Sequence, residues 1–129
     1  MVSNWKRRVL VALIALLPFG AAARAESIEG MYRVEGNAPG ADQAYSGRAQ
    51  VKKTGATYTI VWQIGEGGHV GTGILTSDVL SVFFQPLDRR GAPGIASFRV
   101  IEGKITGGTW TVLGGNVVGD ERWVPDRGI

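Results

Sequence analysis

The chain of 129 residues predicts an all-β protein: an eight-stranded up-and-down antiparallel β-barrel, or a tight β-sandwich, after an N-terminal signal helix. Three observations lead there. Apolar and polar residues alternate with period two through most of 26–129, the pattern of strands with one buried face. Glycine-rich turns punctuate that pattern at short intervals, and no segment of useful length carries a helical period. Eight such strands joined in sequence make a meander, because consecutive strands usually pair, and closing it removes the exposed edges.

The strands follow in order. "SIEGMYRV" puts Ile28, Gly30, Tyr32 and Val34 on one face, and "GNAPGADQ" supplies a turn. "YSGRAQVK" places Tyr45, Gly47, Ala49 and Val51 inward. After "KTGA", "TYTIVWQI" turns Tyr58, Ile60, Trp62 and Ile64 inward. "HVGTGILT" and "VLSVFFQ" hinge at Ser77-Asp78, and "PLDRRGAPG" is the long connection to "IASFRVI". Glu102-Gly103 then makes a two-residue turn into "KITGGTWTVL". Gly114-Gly115 is read as a second such turn into "NVVGDERWV", with Val117, Gly119, Glu121 and Trp123 inward, and Pro125 ends the pairing. Glycines 47, 71, 73, 107 and 108 suit the sharp coiling and bulges of a small barrel.

The first residues read as an export signal spanning 1–25. Lys6, Arg7 and Arg8 precede the apolar run Val9 to Phe19, and Ala23-Arg24-Ala25 has the small-x-small form that signal peptidase cleaves. The apolar run is well short of the ~20 residues a spanning helix requires. A periplasmic or secreted domain, 26–129, is expected, with no disulfides because the chain has no cysteine. Of its 14 basic residues, Lys6, Arg7, Arg8 and Arg24 leave with the signal, so 10 remain against 11 acidic ones. That balance argues against nucleic acid as a partner. A membrane barrel is disfavoured too: Arg33, Glu35, Arg48, Gln50 and Lys52 occupy the outward face that lipid would meet.

Little in the chain points to catalysis. "GEGGHVGTG" has Val70 where a dinucleotide loop needs glycine, lacks the Lys-Ser/Thr of a P-loop, and reads as a β-corner. His69 is the one histidine, and beside a turn it reads as solvated. Asp120 and Glu121 are adjacent on one strand, so they point to opposite faces and cannot be a glycosidase pair. No enzyme activity, metal or cofactor is expected.

The spacings Gly30-x-Tyr32, Tyr45-x-Gly47, Tyr58-x-x-x-Trp62-x-Ile64-Gly65, Gly71-x-Gly73, Gly107-x-x-Trp110 and Glu121-x-Trp123-x-Pro125 resemble a family of small exported proteobacterial all-β proteins of uncharacterised function. Some of that family are labelled fibronectin-binding protein. The likeness spans residues 28 to 125 and implies a fold more than an activity. His69 departs from it, standing where an aromatic is usual. More remotely, the chain is similar to avidin-like and lipocalin-like barrels in strand count.

The interior aromatics read first as core. Beside that stands a pocket at one barrel mouth, with Tyr32, Tyr58, Trp62, Trp110 and Glu121 as the candidate ligand-binding residues. A buried Glu121 requires a partner, and a Tyr hydroxyl or the Trp110 N–H is expected to clasp the first and last strands through it. The leading expectation is a non-enzymatic binding protein for a small apolar ligand or a protein partner. An adhesion-type surface module is the alternative, and a hydrolase using Glu121 or His69 is third.

Overall fold

A computed structural model describes residues 27–127. The proposed signal helix lies outside that range. Eight strands form one closed antiparallel barrel in sequential order: β1 (Gly30–Asn37), β2 (Ala44–Thr54), β3 (Thr57–Ile64), β4 (Gly67–Thr76), β5 (Val79–Pro86), β6 (Gly94–Ile101), β7 (Lys104–Val112) and β8 (Gly119–Pro125). β8 pairs with β1 through Gly36 and Glu121, Val34 and Trp123, and Tyr32 and Pro125, so no edge is left. The sandwich alternative is thereby replaced by the barrel.

The expected inward faces of β1, β2 and β3 are the buried ones: Tyr32 and Val34, Ala49 and Val51, and Tyr58, Ile60 and Trp62. β7 carries a bulge opposite Arg99–Val100, beside Gly107, whose φ of +148° and close approach to the Glu121 carbonyl both require the missing side chain. On the outer face of the closing seam, Arg122 Nη2 reaches Glu35 Oε1 at 2.9 Å, and Asn37 Nδ2 donates to Asp120 Oδ1 at 3.2 Å. Both charged partners of the ion pair are exposed, so their register matters more than their energy.

The two ends of the barrel differ. At one, β2–β3, β4–β5 and β6–β7 turn tightly, and the interior is filled by Ile28, Tyr32, Leu80 and Ile105, each 2% exposed or less. Tyr32 Oη donates to the Ile28 carbonyl at 2.8 Å and accepts from Ile105 N at 3.4 Å, tying the chain that enters β1 across the base. At the other end lie the longer connections 38–43, 87–93 and 113–118, with the short turn 65–66 among them.

Three expectations about boundaries need correction. β1 starts at Gly30 and runs to Asn37, although Ile28 is buried as expected, because Ile28 plugs the base from outside the ladder. Gly114-Gly115 is not a two-residue hairpin. The Thr111 hydroxyl donates to the Val117 carbonyl at 2.8 Å, which holds 113–118 as a loop and delays β8 to Gly119. Val117, expected inward, is accordingly 49% exposed.

Candidate functional site

The end with the long loops contains a cavity of about 220 Å³. Its walls come from the last or first inward residues of the strands there: Tyr45 opens β2, Trp62 and Ile64 close β3, His69 opens β4, Phe84 closes β5, Trp110 closes β7 and Glu121 opens β8. Period two aims each of these inward, and the alternation of strand direction brings their ends to the same mouth. Ala38, Ala96 and Phe98 complete the lining.

Glycine makes room for the rings. A side chain at Gly71 would meet the Trp62 indole at 3.1 Å, one at Gly94 would run into the Phe84 ring, and one at Gly36 would strike the Tyr45 phenol. At these three positions glycine permits a close approach of ring to backbone across neighbouring strands. The rings also hold each other: Trp62 to Phe84 at 5.9 Å, Phe84 to Trp110 at 5.8 Å and Tyr45 to Trp110 at 6.2 Å between centroids, all tilted or edge-on. Trp123 lies between this group and the base, 6.2 Å from Trp62 and 5.0 Å from Tyr32.

Glu121 is the one buried charged residue of the described chain, 6% exposed. Glycines flank it on both sides of the ladder, Gly36 on β1 and Gly108 on β7. Its Oε1 accepts from Trp62 Nε1 at 3.3 Å. The expected partner was a Tyr hydroxyl or Trp110, and the expected role a clasp of first and last strands. The Tyr45 hydroxyl of β2 does interact with the carboxyl, and the bond from Trp62, in place of one from Trp110, crosses the interior from β8 to β3. Burial pushes the Glu121 carboxyl up to about 7, with the indoles of Trp123 and Trp62 and the Tyr45 hydroxyl acting in the opposite direction. Trp123 acts there without a well-aligned hydrogen bond, since its Nε1 is buried with no partner.

The other polar groups of the cavity are also distinctive. Trp110 Nε1 is buried without a well-aligned hydrogen bond, and acts on the nearby Tyr45 hydroxyl by opposing the rise of its pKa. The Tyr45 hydroxyl makes a long bond, 3.5 Å, to the Asp120 carbonyl and also faces the Glu121 carboxyl. Burial, and then the nearby Glu121 charge, raise its pKa. His69 packs edge-on to Phe84 at 5.8 Å, and burial lowers its pKa, partly offset by Asp88.

Of the five residues proposed from sequence, the cavity unites Trp62, Trp110 and Glu121. Tyr32 and Tyr58 do not line it. Tyr32 belongs to the base, and Tyr58 packs in the core with the Lys53 ammonium 4.9 Å from its ring centre. His69, read as solvated, turns out to be a wall residue. Tyr45 and Phe84 complete the aromatic walls; both carry the inward parity of their strands, and this was the signal available for them. Among the described residues no His, Cys, Asp and Glu cluster could hold a metal.

A second feature lies on the outer face of β4–β7. Thr72, Phe83, Ile95 and Thr111 are consecutive cross-strand neighbours, as are Ile74, Ser81, Ser97 and Thr109. Phe83 is 51% and Ile95 61% exposed. The chain matches no protein-family model, no curated protein and no solved structure.

Proposed function

We propose that this chain is an exported, non-enzymatic binding protein that holds one small, largely apolar molecule in the mouth of its barrel. The observation carrying this reading is an aromatic cavity of about 220 Å³ that contains a buried indole N–H, Trp110 Nε1, with no well-aligned hydrogen bond. Buried donors are almost always satisfied, so a guest that presents an acceptor, a lone pair or the face of an aromatic ring, is the natural complement. An apolar cavity of about 150 Å³ accommodates benzene, so this one takes a single ring with a short substituent. The polar groups are few and convergent, as in small-molecule sites generally. Hydrolysis fits less well, because Glu121 has no second carboxyl in the cavity lining and Asp120 points outward to Asn37.

Export rests on the basic, apolar and Ala-x-Ala order of residues 1–25, and the resemblance to small exported proteins agrees with it. A surface-interaction role is the second reading, favoured by the adjacent exposed Phe83 and Ile95.

Native mass spectrometry of protein isolated from its own periplasm or medium tests both readings. A bound mass of one or two hundred daltons, lost in Trp110→Phe, is the expected result. A complex with another protein, lost in Phe83→Ser but retained in Trp110→Phe, would favour the outer face instead.

A further inference from the structure

The cavity's lining carries one carboxyl, no lysine and no arginine, and the rings of Tyr45, Trp62, Phe84, Phe98 and Trp110. Aromatic faces bear negative electrostatic potential and attract a cation most strongly where water is excluded. An anionic guest would meet those rings and the Glu121 carboxyl with no lysine or arginine to receive it. A neutral guest would leave the carboxylate among neutral donors, Trp62 Nε1 at 3.3 Å and the Tyr45 hydroxyl, with no opposite charge. A cation would meet both the rings and a carboxylate. From this arrangement we infer that the guest is a small organic cation, an arylalkyl-ammonium of roughly nine non-hydrogen atoms, scaled from the cavity that holds benzene. Its ring face accepts from Trp110 Nε1 while its ammonium meets Glu121. This rests on the reading of the cavity as a ligand site.

Glu121 is the group that selects it. A lone buried carboxylate is costly and takes up a proton instead, whereas a carboxylate paired with a buried cation keeps its charge. An ammonium with the basicity of a lysine side chain remains charged well above neutral pH. Binding of such a guest is therefore coupled to loss of the Glu121 proton, and its affinity rises with pH until the carboxyl is ionised in the free protein. The groups facing Glu121 are Tyr45 from β2, Trp62 from β3 and Trp123 on its own strand, with His69 of β4 on the same cavity wall and Asp120 beside it on the outer face. Gly36 of β1 and Gly108 of β7, its ladder partners, bring no side chain. Tyr45 is held protonated above its ordinary range. His69 is held neutral to lower pH than usual, and any protonation of it would repel the guest in the same direction.

The test uses two isosteric probes, 2-phenylethylammonium and 2-phenylethanol, with the intrinsic fluorescence of Trp62 and Trp110 as the signal. At pH 8 the ammonium should bind about tenfold more tightly or better, the scale of one desolvated cation–π contact. Between pH 8 and pH 5 that affinity should fall by roughly tenfold or more, while that of the alcohol stays level. In Glu121→Gln, which keeps shape and the acceptor for Trp62, the preference and its pH dependence should both vanish; any slope that survives there belongs to His69. Melting curves establish that the variant is folded, and Glu121→Met serves if Gln is not. Equal binding of the two probes, or an ammonium preference that survives loss of the carboxyl, overturns the cation while leaving the cavity. If neither probe binds at millimolar concentration, the cavity reading falls and the cation with it.

Discussion

Trp62→Ala should lower the stability of the barrel by about 3–5 kcal/mol, read as a reduced denaturation midpoint in urea. Trp62 is 4% exposed and sits where the cavity meets the core, against Phe84 on one side and Trp123 on the other. Its ring fills the space that Gly71 leaves open, so no neighbouring side chain can spread into the gap. The substitution also strips Glu121 of the N–H it accepts. Trp62→Phe separates the two effects. It retains most of the packing and removes only the donor, which should cost about 1–3 kcal/mol, the penalty for leaving one buried polar group unsatisfied. A melt of Trp62→Ala indistinguishable from wild type would mean that β3 presents its other face to the interior.

The second large effect is a decline of stability with rising pH, centred on Glu121. The folded carboxyl titrates near 7 and the unfolded one near 4.5, so folding favours the protonated form. Its contribution is fully present below about pH 4.5, is lost as pH rises toward 7, and changes no further above that. The separation of the two values corresponds to about 3 kcal/mol at most. Glu121→Gln cannot ionise and keeps an oxygen for Trp62 and an N–H₂ for Tyr45. It should match wild type near pH 4 and exceed it at pH 8 by up to that amount. Urea unfolding of both proteins at pH 4, 6 and 8 measures the difference, in which pH effects shared by the two proteins largely cancel. A constant difference across that range, or a variant weaker than wild type at pH 8, would show that the carboxylate is well satisfied where it is.

The strand order, the closed topology and the burial of Tyr32, Ile60, Trp62 and Trp123 were legible from the sequence, because period-two alternation names the inward face whatever the partners are. Position along the barrel axis was not. Tyr32, Ala49 and Trp62 form one cross-strand row, yet Tyr32 lies in the base and Trp62 in the cavity wall. Strands in an eight-stranded barrel tilt by about 35–45° to the axis, so a row of hydrogen-bonded neighbours climbs as it goes round. Which aromatics meet at one mouth depends on that climb, which no single strand encodes. Tyr58, by contrast, stands four residues before Trp62 at the other end of β3, a separation that the strand itself encodes. His69 was misread by its nearness to a turn, although it shares a face with Gly71 and Gly73 and pairs directly with inward Trp62. Parity was the better guide there. The loop at 113–118 escaped notice because its glycine pair looked like a tight hairpin, and the Thr111 bond that widens it joins residues across the turn.

The claim on which the rest depends is that the mouth of the barrel is hollow while its base is filled. A crystal structure of the protein exposed to benzene vapour tests that most directly, since an apolar cavity of this size should accept one ring. Density for benzene bounded by Trp62, Phe84 and Trp110, with Tyr32 and Ile105 undisturbed at the base, is the expected result. An empty map, with the Trp110 or Tyr45 side chain folded into that space and its polar atom bonded to Glu121, would contradict it.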